Sequence, residues 1–121
     1  MASILVVDDD QDIRELLRLV LEEAEHTVFE ATNGDQAMRF ARETPVDLII
    51  TDILMPERDG LEVIRQMRRE NPLIKIIALT GGGSYLGLEM LETAKDFGAV
   101  ETLSKPVDIH QLIEAVEKSI Q

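Results

Sequence analysis

The sequence predicts a single α/β domain whose parallel sheet is covered on both faces, on three observations. Five short, mostly β-branched runs alternate with five amphipathic stretches along the chain. The runs are close to continuously apolar, as strands buried on both faces are. No linker, repeat or low-complexity segment breaks the alternation, so residues 1–121 are expected to form one domain.

Each element follows in order. Ser3–Val7 (SILVV) is an apolar run of strand length, and Asp10 is placed to cap the helix after it. That helix is expected over Gln11–Glu25, with Ile13, Leu16, Leu17, Val20, Leu21 and Ala24 recurring at helical spacing. Thr27–Ala31 returns to strand chemistry. Asn33 then caps a second helix with Gln36 at its third position and Ala37, Phe40 and Ala41 inward, closed by Pro45. Asp47–Thr51 is the third strand, and Asp52–Gly60 a loop marked by Pro56 and Asp59-Gly60. Leu61, Ile64 and Met67 stripe a third helix that Asn71-Pro72 ends. Lys75–Leu79 is the fourth strand, followed by Gly81–Gly83, a helix over Ser84–Phe97 and a stop at Gly98. Glu101–Ser104 is a short fifth strand, and Asp108 caps a last helix carrying Ile109, Leu112, Ile113, Val116 and Ile120.

The composition removes whole classes of function. The 121 residues hold no cysteine, which excludes disulfide scaffolds, thiolate zinc sites and cysteine nucleophiles. With 24 Asp+Glu against 12 Lys+Arg the net charge is -12, which argues against nucleic-acid binding by this domain. No apolar run approaches the ~20 residues that span a bilayer, and no signal-peptide pattern opens the chain; a cytoplasmic protein with no membrane partner is expected. His26 and His110 share no ligand spacing and are expected at the surface.

In open parallel sheets ligands bind beyond the carboxyl ends of the strands. Here those ends carry Asp8, Asp9 and Asp10, then Thr51 and Asp52, then Thr80, then Ser104 and Lys105. Carboxylates gathered at one sheet edge repel each other, and a cation relieves the repulsion. An all-oxygen donor set points to a hard ion, Mg²⁺ first, with Mn²⁺ or Ca²⁺ as alternatives. A metal, an ammonium and a hydroxyl together suit phosphoryl oxygens, and a central carboxylate can itself be the nucleophile. Gly81–Gly83 lacks the following Lys-Ser/Thr of a P-loop.

Val7-Asp8-Asp9, Asp52 within DLIITDILMPERDG, Thr80-Gly81 and Lys105-Pro106 together resemble the receiver domain of bacterial two-component response regulators, over essentially the whole chain. The resemblance implies a flavodoxin-like (βα)5 three-layer sandwich with strand order 2-1-3-4-5. By matching motif it implies Asp52 as phosphoacceptor and Mg²⁺ held by Asp9, Asp52 and the backbone carbonyl of Leu54, with Asp8 acting through water. Thr80 and Lys105 would hold phosphoryl oxygens, Gly81 would leave room for the group, and the Lys105-Pro106 bond would be cis. The donor would be a phosphohistidine on a sensor histidine kinase or phosphotransfer protein. With no output segment after Gln121, the expected listener is a downstream protein, or an output domain of a longer parent.

Two departures from the family pattern stand out. Thr102 occupies the position, three before the lysine, where receiver domains usually carry an aromatic whose rotamer reports phosphorylation. A hydroxyl there can switch partners but cannot carry that signal. The fourth helix has more apolar residues than one inward stripe needs. Leu86 and Met90 are therefore expected in a partner or dimer surface that changes on phosphorylation, with the glycine-rich loop, the fourth helix and the fifth strand as the switch.

Three rivals remain. A pseudo-receiver would bind partners without phosphorylation. An aspartate-nucleophile phosphohydrolase would want a second carboxylate two residues after Asp52, where Leu54 stands. A flavodoxin is weakened by 3% aromatic content and the lack of a phosphate loop after the first strand. The expected role is signalling rather than metabolic catalysis, with the domain assisting its own phosphotransfer and autodephosphorylation.

Overall fold

The computed structural model describes residues 1–53, 60–81 and 85–121, with the backbone alone for residues 85–88 and 91. Strands β1 (Ser3–Val7), β2 (Thr27–Ala31), β3 (Leu48–Asp52), β4 (Lys75–Gly81) and β5 (Glu101–Lys105) form one parallel sheet in the order β2-β1-β3-β4-β5. Helices α1 (Gln11–Glu23), α2 (Gly34–Glu43), α3 (Gly60–Glu70) and α4 (Tyr85–Phe97) make the crossovers, and α5 (Ile109–Ile120) follows the last strand. The predicted fold class and strand order are both found.

Successive strand residues point to opposite faces, and the core divides accordingly. Leu5, Val7, Ile49, Ile76 and Ala78 pack against Ala37 and Met38 of α2, Val63, Ile64 and Met67 of α3 and Ala94 of α4. Ile4, Val6, Leu48, Ile50, Ile77 and Leu79 face the other way, onto Leu17 and Leu21 of α1 and Leu112 and Val116 of α5. This double burial explains why β1, β3 and β4 read as near-continuous apolar runs, whereas the edge strands β2 and β5 are only partly buried. No helix among the described residues is long and apolar enough to cross a membrane.

The polar caps fall where the sequence places them. Asp10 accepts from the Asp12 amide, Asn33 from Gln36 and Asp108 from Gln111. Gln36 also reaches back to the Thr32 amide at 2.9 Å.

Several boundaries and faces differ from expectation. Helix α1 stops at Glu23, because Glu25 turns left-handed (φ 71°) and closes it. The His26 amide then reaches the Leu21 carbonyl and the Glu25 amide the Glu22 carbonyl, a Schellman pattern that usually takes glycine. Leu16 and Ala24 lie at the surface instead of inward. On α2 the buried residue that periodicity missed is Met38, while Phe40 and Ala41 are half-buried. Strands β4 and β5 run on to Gly81 and Lys105, which pair in register. Met90 is half-buried and packs against the core; Leu86, expected beside it, has its side chain outside the described residues.

His110 is exposed as expected, but His26 is not a plain surface residue: it is half-buried, and its Nδ1 accepts the Ala2 amide at 3.1 Å. Burial, followed by the nearby N-terminal amine, outweighs the pull of Glu117 and lowers its pKa below 6.5. The unfolded chain therefore takes up this proton more readily. The contribution of neutral His26 is complete above the unfolded value and is lost as the pH falls through the folded one. Urea midpoints should drop more for the wild type than for His26→Gln between about pH 7.5 and pH 5.5. Parallel pH profiles would remove the assignment.

Candidate functional site

The carboxyl edge of the sheet brings together Asp8 and Asp9 after β1, Asp52 at the end of β3, Thr80 and Gly81 in β4, and Lys105 at the end of β5. Strand register does this: Val7 pairs with Thr51, Asp52 with Leu79, and Gly81 with Lys105. Asp8 is fully buried and Asp52 only 4% exposed, whereas Asp9 faces solvent. The Lys105 ammonium bridges the two buried acids, at 2.7 Å from Asp8 Oδ2 and 3.2 Å from Asp52 Oδ2. Desolvation pulls the lysine pKa down, but the hydrogen bonds and charges of Asp8 and Asp52 together exceed it and hold it above the ordinary 10.5. The Lys105–Pro106 bond is cis.

One ammonium does not balance this cluster. Asp8, Asp9 and Asp52 each place a carboxylate oxygen within 4.8 Å of the others. Three acids against one lysine leave net negative charge partly out of water, and an all-oxygen donor set of this kind fits a hard divalent cation. Leu54, whose carbonyl was expected to join the set, lies outside the described residues.

Thr80 supplies a second sign of a ligand. It is fully buried, and its Oγ1 has no hydrogen-bond partner among the described residues. Such a hydroxyl has given up water for no partner among the described residues. Replacing Thr80 by Val should therefore raise stability, by about 1 kcal/mol, because it removes the orphaned group without opening a cavity. A lower urea midpoint for Thr80→Val would show that the hydroxyl is already satisfied. Beside it, a Cβ built on Gly81 would meet nothing within 4 Å, so the cluster is open on that side.

A family model, response regulator receiver domain, matches residues 4–117. The chain belongs to that family. It is 35% identical to sporulation initiation phosphotransferase F of Bacillus subtilis, over 96% of this chain and 91% of that one. It is 34% identical to the response regulator receiver protein CpdR of Brucella abortus, over 99% and 98%. Other relatives are longer: a 34% match to the DNA-binding transcriptional regulator NtrC of Azospirillum brasilense covers 98% of this chain but 24% of that protein. Among solved structures, a response regulator receiver domain protein from Clostridium thermocellum superposes with TM-score 0.91 at 32% identity, over 99% of this chain and 94% of that one. The chemotaxis protein CheY4 of Vibrio cholerae does so with TM-score 0.87 at 30% identity, over 98% of each.

Within this receiver domain, Thr102 lies below the edge, half-buried in β5 and paired in register with Ala78. Met67 packs in the core, as a packing role predicts. A cavity of about 360 Å³ between α2 and α3 is lined by Met38, Val46, Ile49, Met67 and Ile74 under the Arg42–Glu70 ion pair. None of the acid-cluster residues lines it.

Sequence reasoning missed one contact on the cluster itself. Arg14 Nη1 donates to the Asp8 backbone carbonyl at 2.8 Å. The available signal was a cation at helical spacing from Leu17 and Leu21, on the stripe that faces the sheet.

Proposed function

We propose that residues 1–121 form a phosphoacceptor switch in which Asp52 takes a phosphoryl group from a phosphohistidine of a sensor kinase or phosphotransfer protein. The observation that carries this reading is the buried Asp52 held by Lys105 at the same strand edge as the unpartnered Thr80 hydroxyl. Asp52 lends a carboxylate oxygen to phosphorus as the bond from phosphorus to the donor imidazole nitrogen breaks. With the second ring nitrogen of the phosphohistidine protonated, the leaving group is a neutral histidine on the donor, and the product is an acyl phosphate on Asp52. Lys105 then shifts its hydrogen bonds toward a phosphoryl oxygen, and the Thr80 hydroxyl donates to another. Asp9, Asp52 and the Leu54 carbonyl are the groups that would hold Mg²⁺, with Asp8 acting through water. When bound, the ion supplies positive charge against the phosphoryl oxygens. Attack by water on phosphorus returns Asp52 and releases phosphate.

Charge added at Asp52 pulls on Thr80 and Lys105, which lie in β4 and β5, so the β4–α4 connection, α4 and β5 are where the two states would differ. Thr102 sits half-buried in β5, three residues before Lys105, and its hydroxyl can exchange partners. The listening partner is a downstream protein or output domain, and a dimer formed on phosphorylation is one such listener. Kinase-linked signalling in the cytoplasm fits this acidic domain, without direct binding to nucleic acid or membrane.

The test is intact mass after incubation with acetyl phosphate, with and without Mg²⁺, beside Asp52→Asn. A single phosphoryl adduct that needs Mg²⁺ and is absent from Asp52→Asn is expected. No adduct from acetyl phosphate or from a phosphohistidine donor would point to a pseudo-receiver. Continuous release of phosphate from small esters would point to a phosphohydrolase.

A further inference from the structure

We infer that Arg14 is a positioning residue for the metal side of the acid pocket, fixing the peptide between Asp8 and Asp9 and with it the place of the Asp9 carboxylate. The inference rests on the Mg²⁺-dependent reading of the site given above.

Asp8 is held at every polar atom. Its amide donates to the Ala31 carbonyl at 3.2 Å, Oδ1 accepts from the Asp10 amide at 2.9 Å, and Oδ2 accepts from Lys105 at 2.7 Å. The remaining handle is its carbonyl, and Arg14 takes it at 2.8 Å. Asp9 is the opposite case: its side chain is exposed and makes no hydrogen bond among the described residues. Among the described residues, the backbone is what places it. The Asp8 carbonyl and the Asp9 amide belong to one planar peptide, so fixing that oxygen fixes the direction in which Asp9 leaves β1.

Arg14 can do this because it is itself braced. Its Nε donates to Glu30 Oε1 at 3.1 Å, and its side chain is only 13% exposed. The second Glu30 oxygen accepts from Arg18, whose other nitrogen reaches the Val28 carbonyl at 3.1 Å. The guanidinium thus serves one acceptor on β2 and one at the end of β1 at once. A lysine keeps the charge but loses the rigid planar fork whose separate nitrogens serve these two acceptors. Were the Arg14–Glu30 pair only a tie between α1 and β2, its loss would lower stability and leave ion binding alone.

The deciding measurement is a MgCl2 titration followed in amide NMR spectra of the wild type, Arg14→Lys and Glu30→Ala, with thermal melts in parallel. In Arg14→Lys the Kd for Mg²⁺ should rise roughly tenfold, as for other supports of metal ligands, and in Glu30→Ala it should move the same way by less. The extent of Asp52 phosphorylation at saturating Mg²⁺ should match the wild type. Folded variants whose Kd stays within about twofold of the wild type would overturn the inference. Should Arg14→Lys melt too early to titrate, Glu30→Ala decides. A wild type with no saturable Mg²⁺ shifts removes the underlying reading, and this inference with it.

Discussion

Replacing Lys105 by Met should lower stability by about 2 kcal/mol, which for a chain of this size is a drop of roughly 8 °C in Tm. The lysine is the cation that pairs with the carboxylates of both Asp8 and Asp52, and those acids are 0% and 4% exposed. Breaking a buried ion pair from one side typically costs about 3–5 kcal/mol, because the partner charge stays behind without compensation. The value is smaller here because Lys105 is itself 20% exposed, so water reaches the gap. Its pKa is raised above 10.5, so the contribution is fully present below that value and is lost only as pH climbs through the folded one. The loss should therefore be constant across the neutral range.

A double variant tests the cause. Lys105→Met with Asp8→Asn removes one cation and one anion together and should recover most of the stability, whereas a packing defect at Lys105 would persist. MgCl2 should raise Tm more in Lys105→Met than in the wild type, since more uncompensated charge awaits the ion. A Lys105→Met protein that melts with the wild type would show that the bridge contributes nothing net to the fold.

The legible parts of this molecule are those in which one residue suffices. Asp10, Asn33 and Asp108 cap helices because a short oxygen-bearing side chain before an amphipathic stretch has one good use. The site aspartates, Thr80 and Lys105 were legible because the end of a parallel strand is a place that sequence can locate. What escaped depends on pairs distant in the chain. Nothing local tells Gly81 that Lys105 will continue its ladder, so β4 looked two residues shorter than it is. Glu25 ends α1 with no glycine to mark the stop. His26 looked like a surface residue until the chain brought the Ala2 amide to it. Arg14 reaches back to Asp8 only because α1 folds over the end of β1.

Gly60 belongs to the same group, and Gly60→Ala is expected to be among the most damaging small substitutions at this site. In sequence, Asp59-Gly60 reads as a turn. In the structure, a Cβ on Gly60 would stand 2.4 Å from the Ile53 Cα and 2.6 Å from its carbonyl oxygen. These are backbone atoms, so no rotamer change relieves the clash. Ile53 has little freedom to retreat: its side chain is 1% exposed and its amide donates to the Leu79 carbonyl at 3.0 Å. It also follows Asp52 directly, so a shift large enough to admit a methyl moves Asp52, the proposed phosphoacceptor. Gly60→Ala should cost about 3 kcal/mol, at the upper end of overpacking penalties, and slow Asp52 phosphorylation as well.

Two other glycines give the scale. At Gly34 the added carbon would meet the Val63 Cγ2 at 2.5 Å, a methyl that can move, so Gly34→Ala should cost about 1 kcal/mol. At Gly81 nothing lies within 4 Å and the backbone is an ordinary strand, so Gly81→Ala should melt at or slightly above the wild type. Thermal melts should thus rank Gly60→Ala lowest, then Gly34→Ala, then Gly81→Ala. The phosphorylation rates add what the melts cannot: Gly81→Ala, with its fold intact, should lose rate only through the room it takes beside Thr80. A Gly60→Ala protein as stable as Gly81→Ala would mean that β3 and α3 meet with slack between them. Asp52 would then owe its position to contacts other than this close approach, the Lys105 bridge and the strand ladder among them.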